Sequence, residues 1–264
     1  MLKIENISKT FNKGSINENT ALKSVSLKME RGEFITVIGS NGAGKSTLLN
    51  AIAGNFPVDC GKIIIDNKDV TKFPQHKRAN FISRVFQDPM SGTAASMKIE
   101  ENLVMALKRG EKRRLRWAIK QRERTFFCEE LKKLDLGLED RLSARVSLLS
   151  GGQRQALTLL MATFKEPKLL LLDEHTAALD PKTAEKVLNL TCNVAEATHQ
   201  TTIMITHNLE HALSVGNRTI MMHEGNIILD IKGEERKNVK IAQLMKMFEQ
   251  ASGANLNTDR MLFS

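Results

Sequence analysis

The chain has 264 residues, 41% of them hydrophobic and 26% charged, with a formal net charge of +9. This is the composition of a globular protein with room for one sizeable core and an appended subdomain. No apolar run approaches the roughly 20 residues of a membrane span, and the opening "MLKIENISKTF" lacks a signal-peptide apolar stretch, so the expected location is the cytoplasm.

The first strong signal is the apolar strand "FITVIGS", which runs into "GSNGAGKST" (39–47) and a helix, "GKSTLLNAIAG". The segment matches G-x-x-x-x-G-K-[ST] between a strand and a helix, the context that motif requires. Gly39, Gly42 and Gly44, with Ser40, Asn41 and Ala43 between them, let backbone N–H groups approach phosphate oxygens, and the following helix adds its positive end. Lys45 supplies a point charge for the outer phosphates, and the Ser46 hydroxyl, beside Thr47, can join a Mg²⁺ shell. Next come two more strand-like runs, "KIIIDN" and "RVFQ". They complete, with later strands, an α/β order expected to build a mainly parallel sheet covered on both faces.

Residues 89–148 have helical patterning, much charge and no convincing strand, so they read as a helical insert. Within them, 108–124 carry nine basic and two acidic residues. This is either a solvated helical face or a surface near acidic lipid headgroups. A nucleic-acid reading is weaker, because the chain has no tyrosine and Trp117 stands alone. Cys60, Cys128 and Cys192 have no metal-ligand spacing and read as reduced and buried, or incidental.

"LLSGGQRQAL" then reads as a helix start, with Ser150 and Gln153 in a capping box. Gly151 and Gly152 cost helix propensity that a cap does not require. They suggest a second anion-binding helix end. One nucleotide cannot be gripped by both helix ends of one fold, so a head-to-tail pair of subunits is expected. "LLLLDEHTAALD" is a buried strand ending in two carboxylates. Asp173 is placed to hold Mg²⁺ through water, and Glu174 to polarise an attacking water as general base. Asp180 and Pro181 open a helix as N-cap and first residue. "TIMITH" ends a further strand at His207, "NLEHALSV" is helical, and "RTIMMHEGNIILDI" reads as a hairpin. The end, "ASGANLNTDRMLFS", is expected to be loosely held.

"LSGGQ", with the phosphate loop upstream and "LLLLDE" downstream, resembles the nucleotide-binding subunit of ATP-binding-cassette (ABC) proteins. The likeness covers nearly the whole chain, with the motifs in the family's order. It implies a P-loop NTPase (RecA-like) α/β core with a parallel sheet, a helical subdomain and an antiparallel β subdomain. The expected division is 1–88 and 159–235 for the ATP-binding core, 89–158 for the helical/signature subdomain and 236–264 for a C-terminal tail. The resemblance also implies ATP hydrolysis with Mg²⁺ and head-to-tail dimerisation around two ATP. Gln87 in "RVFQDP" would touch Mg²⁺ and the attacking water, His207 the γ-phosphate, and Asp180 the partner copy. Phe11 stands where the family commonly has an adenine-stacking aromatic, and His175 where it commonly has proline.

The separate, single cassette further implies an ATPase docked on the cytoplasmic face of the membrane. An integral-membrane permease would insert a cytoplasmic helix beside Gln87. The run "LLSGGQRQALTLLMAT" with "MMHEGNIILD" is most similar to importer ATPases paired with branched-chain-amino-acid and ribose-type permeases. An extracytoplasmic solute-binding protein would be an indirect partner, and the solute a small molecule such as an amino acid. The alternatives are an exporter or lipoprotein-release ATPase, or a soluble cassette acting on nucleic acid or ribosomes.

Overall fold

The computed structural model describes residues 1–111 and 119–252. Residues 112–118 of the basic segment, and 253–264 of the stretch expected to be loosely held, lie outside the described residues.

In chain order the elements are β1 (Leu2–Phe11), β2 (Asn19–Met29), β3 (Phe34–Ile38), α1 (Lys45–Ala53), β4 (Cys60–Ile65), β5 (Lys68–Asp69), α2 (Gln75–Arg78) and β6 (Ile82–Val85). The insert contributes α3 (Ile99–Leu107) and α4 (Gln121–Lys132). Then follow α5 (Gly151–Thr163), β7 (Leu169–Asp173), α6 (Pro181–Ala197), β8 (Thr202–Ile205), α7 (Leu209–Ser214), β9 (Arg218–His223), β10 (Asn226–Lys232), α8 (Gly233–Asn238) and α9 (Ile241–Ser252).

Two sheets result. The larger has the order β10-β9-β3-β8-β7-β6, parallel throughout except for the edge strand β10. Its central strands are apolar on both faces; β3 is buried at every position. The second sheet is antiparallel, order β2-β1-β4-β5. Here the expectation for "KIIIDN" is corrected. It pairs antiparallel with β1, Leu2 opposite Ile65 and Ile4 opposite Ile63, and takes no part in the parallel sheet. Ile63 and Ile65 are buried and Ile64 between them is half-buried, the alternation of a strand with one face on a core. The mixed architecture is the α/β P-loop fold the motifs imply.

α1 runs back from the phosphate loop into the core between the two sheets, where Leu48, Leu49 and Ile52 pack with Ile4, Ile35 and Ile63. Arg78, itself buried, donates to Ala51 O and Ile52 O at 2.6 and 2.8 Å and so satisfies the end of α1. The insert carries its own core, built from Ile99, Leu103, Phe127, Leu131 and the α5 residues Leu157 and Leu160. α9 lays Leu244 and Phe248 on Ile38, Met221 and Ile231. Cys60 is exposed and the other two cysteines are half-buried, all three free, so none is fully buried as one reading had it. No helix among the described residues is long and apolar enough to cross a membrane.

Candidate active site

The parallel sheet collects its polar residues at the C-terminal edges of three adjacent strands. β3 leads into 39–47, β7 ends in Asp173 and Glu174, and β8 leads through Thr206 to His207. Such an edge is where open α/β sheets hold ligands.

The loop is shaped by backbone contacts that exclude side chains. A Cβ on Gly39 would lie 2.2 Å from Met222 O, and one on Gly44 2.5 Å from Ala21 O. The β9–β10 turn buttresses the loop from behind, with Gly225 N donating to Ala43 O at 3.1 Å. Glu224 and Gly225 both have positive φ, 44° and 80°, as a two-residue type I′ hairpin requires. The N-terminus of α1 has no side-chain cap, and Asn41, Gly42 and Ser46 are exposed. First-turn N–H groups and a hydroxyl are therefore open to an anion.

Lys45 is buried, and its Nζ donates to Gly39 O at 2.7 Å and Ser40 O at 3.0 Å. Burial pushes its ammonium below the ordinary lysine range, while the charges of Glu174 and Asp173 oppose the shift. Asp173 accepts from Arg84 Nη2. Glu174 Oε1 lies 2.5 Å from His207 Nε2. Its backbone is left-handed, φ 47°, a conformation that costs free energy and persists only when neighbours enforce it. A cleft of about 360 Å³ opens beside this pair, reaching Thr176, Pro181 and His211.

The remaining expected residues lie further out. Gln87 is exposed in the turn after β6, and Gln155 of α5 anchors that turn by donating to Phe86 O at 3.0 Å. Phe11 ends β1 in a T-shaped contact with Phe56, centroids 5.2 Å apart, with Lys9 Nζ 5.6 Å from its ring. Asp180 caps α6 by accepting from Thr183 N at 3.1 Å, and its hydrogen bonds to Thr183 hold its carboxyl below the usual range. Ser150 and Gln153 form the capping box, each bond 3.2 Å. No hydrogen bond or ion pair among the described residues joins 150–153 to 39–47. Part of the glycine pair has an internal cause that sequence reading missed. A Cβ on Gly152 would lie 2.0 Å from Thr183 Cγ2, so α5 can pack on α6 only without it.

Also missed were Arg84, Asn50 and the His175–Thr191 pair. His175 is fully buried, its Nε2 3.0 Å from Thr191 Oγ1. Thr191 spends its proton on Val187 O at 2.8 Å, so it accepts from His175, which fixes the Nε2–H tautomer. No sequence signal pairs residues sixteen apart across a strand end and a helix.

Comparison with known proteins gives the chain a family and a fold. The sequence pattern of the family described as "ABC transporter" matches residues 22–177. A tyrosine transport ATP-binding protein of Clostridioides difficile is 45% identical over 252 residues, 95% of this chain and 100% of that protein. A spermidine/putrescine import ATP-binding protein of Thermotoga maritima is 34% identical over 85% of this chain, which spans 56% of that longer protein. Among solved structures, a dimeric ATP-binding cassette in a post-hydrolysis state with ADP and Pi superposes with a TM-score of 0.74 at 30% identity, covering 88% of this chain and 98% of that one. An ATP-binding cassette of an ABC transporter in its ADP conformation gives 0.75 at 29%, covering 94% and 98%. The chain belongs to the ABC transporter family, as an ATP-binding cassette that hydrolyses ATP.

Proposed function

We propose that this cassette is the peripheral ATPase of an importer for a small solute, an amino acid of aromatic type, acting on a separate permease of the branched-chain-amino-acid and ribose kind. The convergence of Lys45, Asp173, Glu174 and His207 on one sheet edge carries the chemistry. The likeness to a tyrosine transport protein over that protein's whole length supports the solute class.

In this reading Lys45 and the N–H groups of 39–47 hold the outer phosphates, and Phe11 faces adenine. Ser46, Gln87 and Asp173 form an all-oxygen donor set that suits Mg²⁺, a hard cation normally completed by substrate phosphates and water. Magnesium would supply charge neutralisation at the phosphates. Glu174 takes the proton of the attacking water, and His207 exchanges its contact with Glu174 for the γ-phosphate. A second copy, arranged head-to-tail, brings Ser150, Gly151, Gly152 and Gln153 over that phosphate, and Asp180 lies at the same interface. Residues 1–88 and 159–235 act as the ATP-binding core, 89–158 as the signature subdomain that meets the permease, and 236–264 as a tail. An extracytoplasmic solute-binding protein would deliver the cargo.

The test is the Glu174→Gln chain expressed in its native cells. It is expected to bind ATP within about twofold of wild type, to hydrolyse it about 10² to 10⁴ times more slowly, and to elute as a dimer with ATP. Membranes extracted with ATP present should yield a multi-spanning permease by mass spectrometry. Hydrolysis at the normal rate would remove Glu174 from its role, and recovery with ribosomes or nucleic acid would overturn the transport reading.

A further inference from the structure

We propose that Arg84 is the resident counter-cation of Asp173 and sets how weakly this sheet edge holds a divalent cation without nucleotide. This rests on the reading of Asp173 as a metal-side carboxylate.

Arg84 on β6 sits opposite Leu171 of β7, two residues before Asp173. Alternation along a strand puts Leu171 and Asp173 on one face, so the guanidinium reaches the carboxylate by running alongside β7. It is held from three directions. Nη2 donates to Asp173 Oδ2, Nη1 donates to Asn50 Oδ1 of α1 at 2.6 Å, and the guanidinium carbon lies 4.8 Å from the centre of the Phe86 ring. Asp173 Oδ1 has no hydrogen-bond partner among the described residues. The two side chains are 11% and 13% exposed, so water and salt screen the pair poorly.

The charges then balance. Asp173 and Glu174 both act on Lys45, and with Arg84 the four sum to zero. A hard dication needs surplus negative charge to give up its hydration shell. These four side chains leave no such surplus, so a divalent cation would be held at this edge only together with a polyphosphate. Arginine suits the post because its planar fork serves Asp173 and Asn50 together, which a lysine point charge cannot do.

The experiment uses the full chain with Arg84→Gln, Arg84→Lys and Asp173→Asn. Mn²⁺ binding without nucleotide is read by electron paramagnetic resonance, and Mg²⁺ is titrated against binding of trinitrophenyl-ATP. Arg84→Gln is expected to lower the half-saturating metal concentration about tenfold and to make nucleotide-free Mn²⁺ binding detectable, because a nearby positive charge has been removed. Arg84→Lys, which keeps the charge, should stay within about threefold of wild type. Unchanged or weakened metal binding in Arg84→Gln overturns the proposal. Asp173→Asn separates the two claims: if it weakens metal binding while Arg84→Gln does nothing, only the role of Arg84 fails. If it leaves the metal titration unmoved, the reading of Asp173 fails first. Should Arg84→Gln not fold, Arg84→Met keeps the stem packed on Phe86 and carries the same expectation.

Discussion

Between Asp173 and Thr176 the chain leaves β7 through one left-handed residue and one fully buried imidazole. His175 anchors this passage by donating to Thr191 of α6, so the carboxylate of Glu174 is aimed by a residue that points away from the site. Burial, aided by the charge of His211, lowers the His175 pKa from 6.5 to about 4. The unfolded chain therefore binds this proton at a higher pH than the native one. The stabilising difference is complete above pH 6.5 and is lost as the pH falls towards 4, about 3 kcal/mol in all. His175→Phe should flatten the acid side of the stability profile over that window, measured by urea unfolding at stepped pH. The phosphate loop, Asp173 and Glu174 were legible from the sequence because each lies within a few residues of its own strand. Arg84 was not, since its meaning lies in a partner 89 residues away.

Among the elements, the packing of α5 on α6 depends on one missing methyl group. Gly152→Ala places a carbon where Thr183 Cγ2 stands, and overpacking of this kind costs about 1–3 kcal/mol. The double variant Gly152→Ala, Thr183→Ser removes the obstructing methyl and should recover most of that loss in denaturant midpoints. A glycine at a helix start, read from sequence alone, points to a ligand. The same glycine seen against α6 also has a structural duty, and local pattern cannot reveal which helix will lie opposite. The start of α6 and the β9–β10 hairpin were readable, because Asp180-Pro181 and Glu224-Gly225 are local devices. The destination of "KIIIDN" was not, because a run of isoleucines does not say which sheet will pair with it.

On the scale of the molecule, the insert and the two-sheet body bury separate apolar clusters, both of which draw residues from α5. Phe127 is fully buried in the first and stacks on Phe164, centroids 6.1 Å apart. Phe127→Ala should cost about 3–5 kcal/mol. Hydrogen exchange is expected to show the loss concentrated in α3 and α4, with β3, β7 and β8 still protected. Uniform loss of protection would mean that the two clusters unfold as one.

The order of strands in the parallel sheet also dictates a schedule. β3, which launches the phosphate loop, is flanked only by β8 and β9, whose residues follow it by more than 160 positions. β1, β2 and β4 can pair as soon as residue 65 is available. A ribosome adding about 5–20 residues per second needs on the order of ten seconds or more to cover that interval. Throughout it, "FITVI" is a nascent apolar strand with both edges unpaired. The strand that launches the phosphate loop is thus the parallel strand that waits longest for its neighbours, open to mispairing while the chain is being made, and a pause in translation before residue 202 would prolong that hazard.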